Sequence, residues 1–251
     1  MMENIDRRNF SKASIGSLLT YSLFSSLFEA NAWGDEIKPI ASEFLKEMQD
    51  LSNDVKSHKI SQTDWQTKCE AFMAKVNVND FMKFIDFEKL TKSLKFRDKG
   101  ERSLSVMFPE VEGLPTKLIY GRQLFALKKG RSVVPHGHYN MATSFLILGG
   151  EFHGKHYDRL EDGDDHLIIK PTIDRTFKKG EYSTVSDVKD NVHWFTANSD
   201  NGFIFNIHVL NIDPKIKKSG RVYVDPNGEK LSGDRIKAKK MKATEAFHKY
   251  G

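Results

Sequence analysis

The sequence predicts a mainly β protein, an antiparallel sandwich or barrel such as a jelly roll, carried behind an N-terminal helical extension. Three observations predict it. Near residue 100 the apolar period falls from three or four residues to two. Short strand-like runs, separated by clusters of Gly, Asp, Asn and Lys, fill residues 101–214. Three histidines, His136, His138 and His193, fall on those runs. With 251 residues, 39% hydrophobic and 29% charged, and with 18 Phe, the chain has ample material for a core.

Residues 1–32 read as an address. Arg7 and Arg8 are adjacent, Phe10 and Lys12 follow, and Ala13 to Phe28 carries no charge. That stretch is short for a span of ~20 residues, and Ala30-Asn31-Ala32 supplies small residues at cleavage spacing. The segment resembles a twin-arginine export signal, with Asp6 in place of the hydroxyl residue and Ser11 in place of the leucine. The resemblance implies passage of the folded protein through the twin-arginine machinery to the periplasm. It also implies cleavage after Ala32, leaving a mature chain from Trp33. An uncleaved signal anchoring the protein to the membrane, a Sec signal and a plain amphipathic helix are the other readings.

Residues 33–100 form the helical extension. Ile37, Ile40, Phe44, Leu45, Met48, Leu51 and Val55 make one amphipathic stripe. Ser61 and Asp64 mark the N-terminus of a helix running over Trp65–Val76, and Asn79 starts a third with Phe81, Phe84, Ile85 and Leu90 on its buried side. The single cysteine, Cys69, excludes an internal disulfide and falls on the apolar face of the second helix as a buried thiol. The barrel strands follow at LSVMF, KLIYGRQLFAL, SVVPHGH, TSFLILG, EFHGKHYD, HLIIKP, EYSTVS, VHWFTA and FIFNIHVLN. Residues 215–251 then form a basic C-terminal hairpin and tail, with Asp225-Pro226-Asn227-Gly228 as the turn.

The formal charge of +5 is unevenly spread. From Lys215 to Gly251 there are eleven Lys and Arg against four Asp and Glu, while the other 214 residues carry 28 basic and 30 acidic side chains. A solvated terminal segment is the expected reading. The aromatic-basic pattern of nucleic-acid modules does not accompany it, so no nucleic-acid partner is expected. The acidic run Asp158, Glu161, Asp162, Asp164 and Asp165 lacks calcium-loop spacing and reads as a solvated hairpin loop.

Side chains two apart on a strand share a face, so an extended Val134–His138 brings His136 and His138 together, with Gly137 leaving the other face open. An apolar run to Gly149-Gly150, a new strand at Glu151 and a third histidine, His193, follow. This ordering resembles the cupin superfamily and implies its double-stranded β-helix. The glutamate ligand of the commonest cupin motif would fall at Thr143, which has no carboxylate. Three neutral imidazoles therefore remain. An ion held by them keeps its full charge and favours an anionic ligand, with open coordination positions for substrate. His153 and His156 are three apart, face opposite sides of a strand, and cannot both join the cluster.

A narrower resemblance covers Val133 to Ala197. The residues His136, His138, Met141, Leu148, Gly150, His153, Lys155, Tyr157 and Asp158, with Asn191-Val192-His193-Trp194-Phe195-Thr196-Ala197, resemble the plant cysteine oxidase and cysteamine dioxygenase group. That resemblance implies three-histidine, iron-dependent thiol dioxygenation, with His136, His138 and His193 as ligands of Fe(II) and with Zn or Mn as alternatives. Dioxygen and a small metal-coordinating molecule would be the partners. His208 replaces the family's aspartate beside the metal ligands and is a candidate supporting group. Arg122, in the apolar run LIYGRQLFAL, is a candidate for binding a substrate carboxylate. The expected function is thus an exported mononuclear metal-binding cupin acting as a dioxygenase. The alternative is a periplasmic cupin that binds a ligand or metal without turnover. A homodimer is left open.

Overall fold

A computed structural model describes residues 39–110 and 113–251. The predicted signal, with Arg7, Arg8 and the cleavage position after Ala32, lies outside the described residues, as does Ile37. Among the described residues no helix is long and apolar enough to cross a membrane.

The extension folds as expected, with one division. Helix α1 (39–56) buries Phe44, Leu45, Met48, Leu51 and Val55 on one face. Helix α2 (Gln62–Met73) starts at a reciprocal capping box: Asp64 N–H donates to Ser61 Oγ (3.0 Å) and Ser61 N–H to Asp64 Oδ2 (3.2 Å). Cys69 is fully buried there, and burial pushes its thiol up to about 12, which makes it an inert packing residue. The predicted third helix is two: α3 (Val78–Phe84), capped by Asn77, and α4 (Phe87–Thr91). Asp86 separates them in a left-handed conformation (φ 49°) that a continuous helix cannot contain.

Eleven antiparallel strands follow among the described residues. Strands β1 (Arg102–Ser105), β2 (Gly121–Leu127), β4 (Met141–Gly149), β7 (Tyr182–Val185) and β9 (Gly202–Leu210) form a five-stranded sheet in the order β1-β2-β9-β4-β7. Strands β3 (Ser132–Tyr139), β5 (Phe152–Asp162), β6 (His166–Phe177), β8 (Val192–Ala197), β10 (Gly220–Lys230) and β11 (Ile236–Met241) form a second sheet, β10-β11-β6-β5-β8-β3. It curls until β10 pairs with β3 and closes into a barrel. The fold is therefore a mainly β jelly-roll barrel with an N-terminal helical layer.

Three apolar clusters hold these layers. The helices cover the outer face of the five-stranded sheet, where Phe44, Phe81 and Phe205 pack ring against ring (Phe44–Phe81 4.7 Å, Phe81–Phe205 4.8 Å). Phe125, Phe145 and Ile204 from that sheet meet Val133, Phe177 and Phe195 from the other. Tyr157, Leu167, Ile169, Val192, Val224 and Ala238 fill the closed barrel itself.

The C-terminal part is wall rather than solvated tail. β10 lies beside β3, β11 beside β6, and helix α5 (Ala243–Tyr250) sets Phe247 against Tyr223 and over Gly100. Two tail lysines, Lys218 and Lys240, each donate to the Asp162 carboxylate at 2.7 Å, so the acidic hairpin and the basic tail neutralise each other locally. Asp225-Pro226-Asn227-Gly228 is not the hairpin turn. It forms a bulge within β10, because proline cannot donate to the ladder, and the chain reverses over residues 231–235, where Gly233 and Asp234 adopt positive φ.

Candidate metal centre

The ladder between β3 and β8 positions the cluster. Val133 pairs with Phe195, and both point into the core between the sheets. Strict alternation from that pair would turn His136 and His138 away from the core. One extra residue intervenes instead: the register shifts between Val133 and His136, across Val134-Pro135, so that His136 stands directly opposite His193. Pro135, which has no N–H to lose, suits that bulge. The Val134 carbonyl accepts a hydrogen bond from His136 Nδ1 at 2.7 Å.

Three imidazoles therefore converge. Ring centroids are 4.3 Å apart for His136–His193, 4.8 Å for His136–His138 and 5.0 Å for His138–His193. Their donor atoms lie within 4.8 Å of one another, and among the described residues no other group of three or more ligating side chains meets this way. Two nitrogens bonded to one ion at ~2.1 Å are at most ~4 Å apart, so small rotations bring the set into reach.

The residues fit a divalent metal on their own chemistry. All three histidines are buried, and burial, reinforced by neighbouring positive charge, holds them below the ordinary histidine range, His138 at about 3. They are neutral near pH 7. His136 spends its Nδ1 proton on Val134, which leaves the Nε2 lone pair without a partner; neither ring nitrogen of His138 and not Nδ1 of His193 has one. Buried polar atoms without partners are costly, and several aimed at one point fit an ion shared among them.

The strand carrying His138 is fixed from behind. Asn191 Oδ1 accepts from His138 N–H (3.3 Å), and its Nδ2 donates to the His138 carbonyl (2.9 Å) and the Ser186 carbonyl (2.8 Å). Arg159 Nη1 donates to the same His138 carbonyl (2.8 Å). The face behind Gly137 is thus filled rather than open. A Cβ at 137 would lie 2.5 Å from Asn191 Oδ1, so the glycine is what lets the amide in.

The cluster opens into a cavity of about 320 Å³. Its polar lining includes Gln123, Thr143, Asn206 and His208, and its apolar lining includes Phe125, Met141 and Phe145; no carboxylate is among the lining residues. Thr143 stands in the wall and brings a hydroxyl there, not a carboxylate. His208 faces the cavity with Nδ1 against Asn206 Oδ1 (3.0 Å), and burial lowers its pKa. Gly121 makes room for it, since a Cβ there would overlap the imidazole.

Arg122 is not in the lining. On β2 the cavity side is taken by Gln123 and Phe125, so Arg122 projects to the helical side, its guanidinium 5.0 Å from the Phe108 ring centroid. The role expected for it at a substrate carboxylate does not fit that position. Arg221, read as part of the tail, lines the cavity instead. His153 is on the surface beside Asp174, whereas His156 is buried, 6.3 Å from the His193 ring. His156 pairs with His193 from the side away from β3. Its ring nitrogens are not among the ligand atoms that lie within 4.8 Å of one another, so it stands outside the cluster.

Fold and site together define a jelly-roll barrel with a buried three-histidine group able to hold a metal. No protein-family profile matches the chain, and no curated protein matches it. Solved structures that match part of the chain include procruciferin, an 11S globulin from Brassica napus (12% identity, TM-score 0.32, 42% of this chain and 23% of that one). Others are a cupin superfamily protein from Desulfitobacterium hafniense (16%, 0.32, 48% and 87%) and an oxalate oxidase in complex with glycolate (18%, 0.37, 54% and 61%). The matched region spans less than two thirds of the globulin and of the oxidase.

Proposed function

We propose that the protein is a mononuclear metal-binding jelly roll that works as an Fe(II)-dependent dioxygenase on a small metal-coordinating substrate, a thiol being the first candidate. The observation that carries this reading is the convergence of three neutral imidazoles, with unpartnered ring nitrogens, on a cavity without a carboxylate. An iron held by His136, His138 and His193 would supply dioxygen activation, with coordination positions left for substrate. The chain's own part is to bind and orient. Asn191 and the Val134 carbonyl fix the imidazoles. Phe125, Phe145 and Met141 narrow the space and keep water out, and Gln123, Asn206 and His208 offer uncharged hydrogen-bonding groups to the substrate.

Export by the twin-arginine route belongs to the same proposal and is supported by Arg7, Arg8, Phe10 and Lys12. A second reading, ligand or metal binding without turnover, is favoured by one observation: the lining holds neither a carboxylate nor a phenol to move protons. Elemental analysis of the protein from its native compartment, followed by oxygen consumption with candidate thiols, separates the two. Stoichiometric iron and thiol-dependent oxygen uptake support the enzyme. Stoichiometric metal with no uptake supports the binding module, and no metal refutes both as metal proteins.

A further inference from the structure

The cavity wall carries a permanent charge that neither the imidazole cluster nor its metal explains. Arg221 on β10 is the direct cross-strand partner of His138 on β3. Directly paired residues share a sheet face, with Cα atoms ~4.5–5.5 Å apart. The next residues confirm the facing: Val222 and Val224 pack into the closed barrel, while Tyr223, opposite His136, stands 5.8 Å from that imidazole. Arg221 therefore lies at the rim, a third of its side chain exposed, between the histidines and solvent.

Its salt-bridge partner among the described residues is Glu101, with Oε1 3.7 Å from Nη1 and its side chain 9% exposed. That carboxylate comes from the segment just before β1, outside the cavity lining, and holds one side of the guanidinium. A guanidinium presents five N–H groups in a planar fork, so a carboxylate on one edge leaves another edge for a ligand. Arg221 is the one lining residue with a permanent charge, and every other polar group there is neutral near pH 7.

We propose that Arg221, held at the rim by Glu101, selects small carboxylates, whose second donor atom reaches the three histidines. This rests on the three-histidine metal reading for that second atom but not for recognition of the carboxylate. The short distance between paired residues and the 320 Å³ cavity set the size: an acid whose metal-binding atom is a few bonds from its carboxylate.

The test uses the full-length protein loaded with Co(II), whose absorption spectrum reports occupancy, and two isosteric probes, 3-mercaptopropionate and its neutral amide. Calorimetry should show the acid binding about 10- to 100-fold more tightly than the amide, the range of a charge-assisted pair. In Arg221→Gln that preference should collapse to within about threefold, with cobalt uptake unchanged. Arg221→Lys should keep a reduced preference, and the double variant Glu101→Gln/Arg221→Gln covers the case in which Glu101 left alone prevents folding. Equal affinity for acid and amide in the unmodified protein, or a preference that survives Arg221→Gln, overturns the proposal while leaving metal binding standing. Failure to take up cobalt defeats the metal reading instead. Propionate and propionamide titrated into the metal-free protein then decide Arg221 alone: a preference lost in Arg221→Gln supports it, and no preference overturns it.

Discussion

The two faces of the five-stranded sheet are made by the same strands and do opposite jobs. On β9, Phe205, Ile207 and Val209 point outward into the aromatic layer under the helices, while Asn206 and His208 point inward and line the cavity. On β4, Ala142, Leu146 and Leu148 face the helices, and Thr143 and Phe145 face the histidines. The outer face is held mainly by apolar packing, with hydrogen bonds linking Gln66 and Glu70 of α2 to Thr184 at its β7 edge. The inner face keeps polar atoms, several without partners, around a space. A strand of period two can carry stability and chemistry at once, provided something thick covers the other side. Here that cover is the helical extension, which makes residues 39–91 part of the site's support.

Breaking the outer face should cost most. Phe205→Ala removes a fully packed ring from the Phe44 and Phe81 cluster. Chemical denaturation should show a loss of about 3–5 kcal/mol. Metal affinity of the folded fraction should stay within about threefold, because Phe205 points away from the histidines. A much larger loss of affinity would show that the two faces are not independent.

Breaking the inner face should invert the pattern. His193→Ala removes a donor that lies between His136 and His156 on the ladder, and metal affinity should fall by at least about a thousandfold, or ~4 kcal/mol. Metal-free stability should change much less than in Phe205→Ala, since a polar ring nitrogen without a partner leaves with the side chain. Equilibrium dialysis and urea midpoints on the same samples measure both. A smaller, graded effect is expected from Asn191→Ala, which removes the clamp behind His138. Metal affinity should drop about 10- to 100-fold through misorientation of the ligand strand. Asn191→Asp, which keeps the acceptor and loses the donor, should fall between the two.

Much of this was legible in the sequence, and the failures share a cause. Alternation and turn residues exposed most strands, and the spacing of His136 and His138 with the distant His193 marked the cluster, because each depends on local order. The face onto which a strand points depends on its partner's register. The bulge at Val134-Pro135 turns the histidines inward, yet it is defined only against β8. Arg122 interrupts an apolar run on β2, but both faces of that strand are buried, Leu124 under the helices and Phe125 between the sheets, so the run could not say which side is the cavity. Arg221 was hidden by composition: eleven basic residues in the last 37 read as solvent-exposed, although β10 closes the barrel beside His138. Asn191 was visible only through resemblance, since an amide that clamps a neighbouring strand leaves no spacing signal.

The smallest expected effect concerns the fourth buried histidine and sharpens the contrast between a polar ring that serves an ion and one that does not. His156 stacks on Phe177 (6.0 Å, 20°) and meets Phe195 edge-on (5.4 Å), with both ring nitrogens unpartnered. Burial, with Arg175 adding to it, lowers its pKa from 6.5 to about 3. The unfolded chain therefore binds a proton below about pH 6.5 that the folded protein refuses until about pH 3, so this residue's contribution to stability falls as pH drops through that window. At pH 5 the deficit is ~1.5 pH units, or about 2 kcal/mol. His156→Leu removes it. Urea midpoints of the metal-free protein at pH 8 and pH 5 should show the variant gaining about 2 kcal/mol on the unmodified protein between the two, with metal uptake at pH 8 unchanged. Parallel stabilities at both pH values would mean the ring is hydrated rather than caged, and loss of metal uptake would place His156 among the ligands although β8 separates its strand from that of His136.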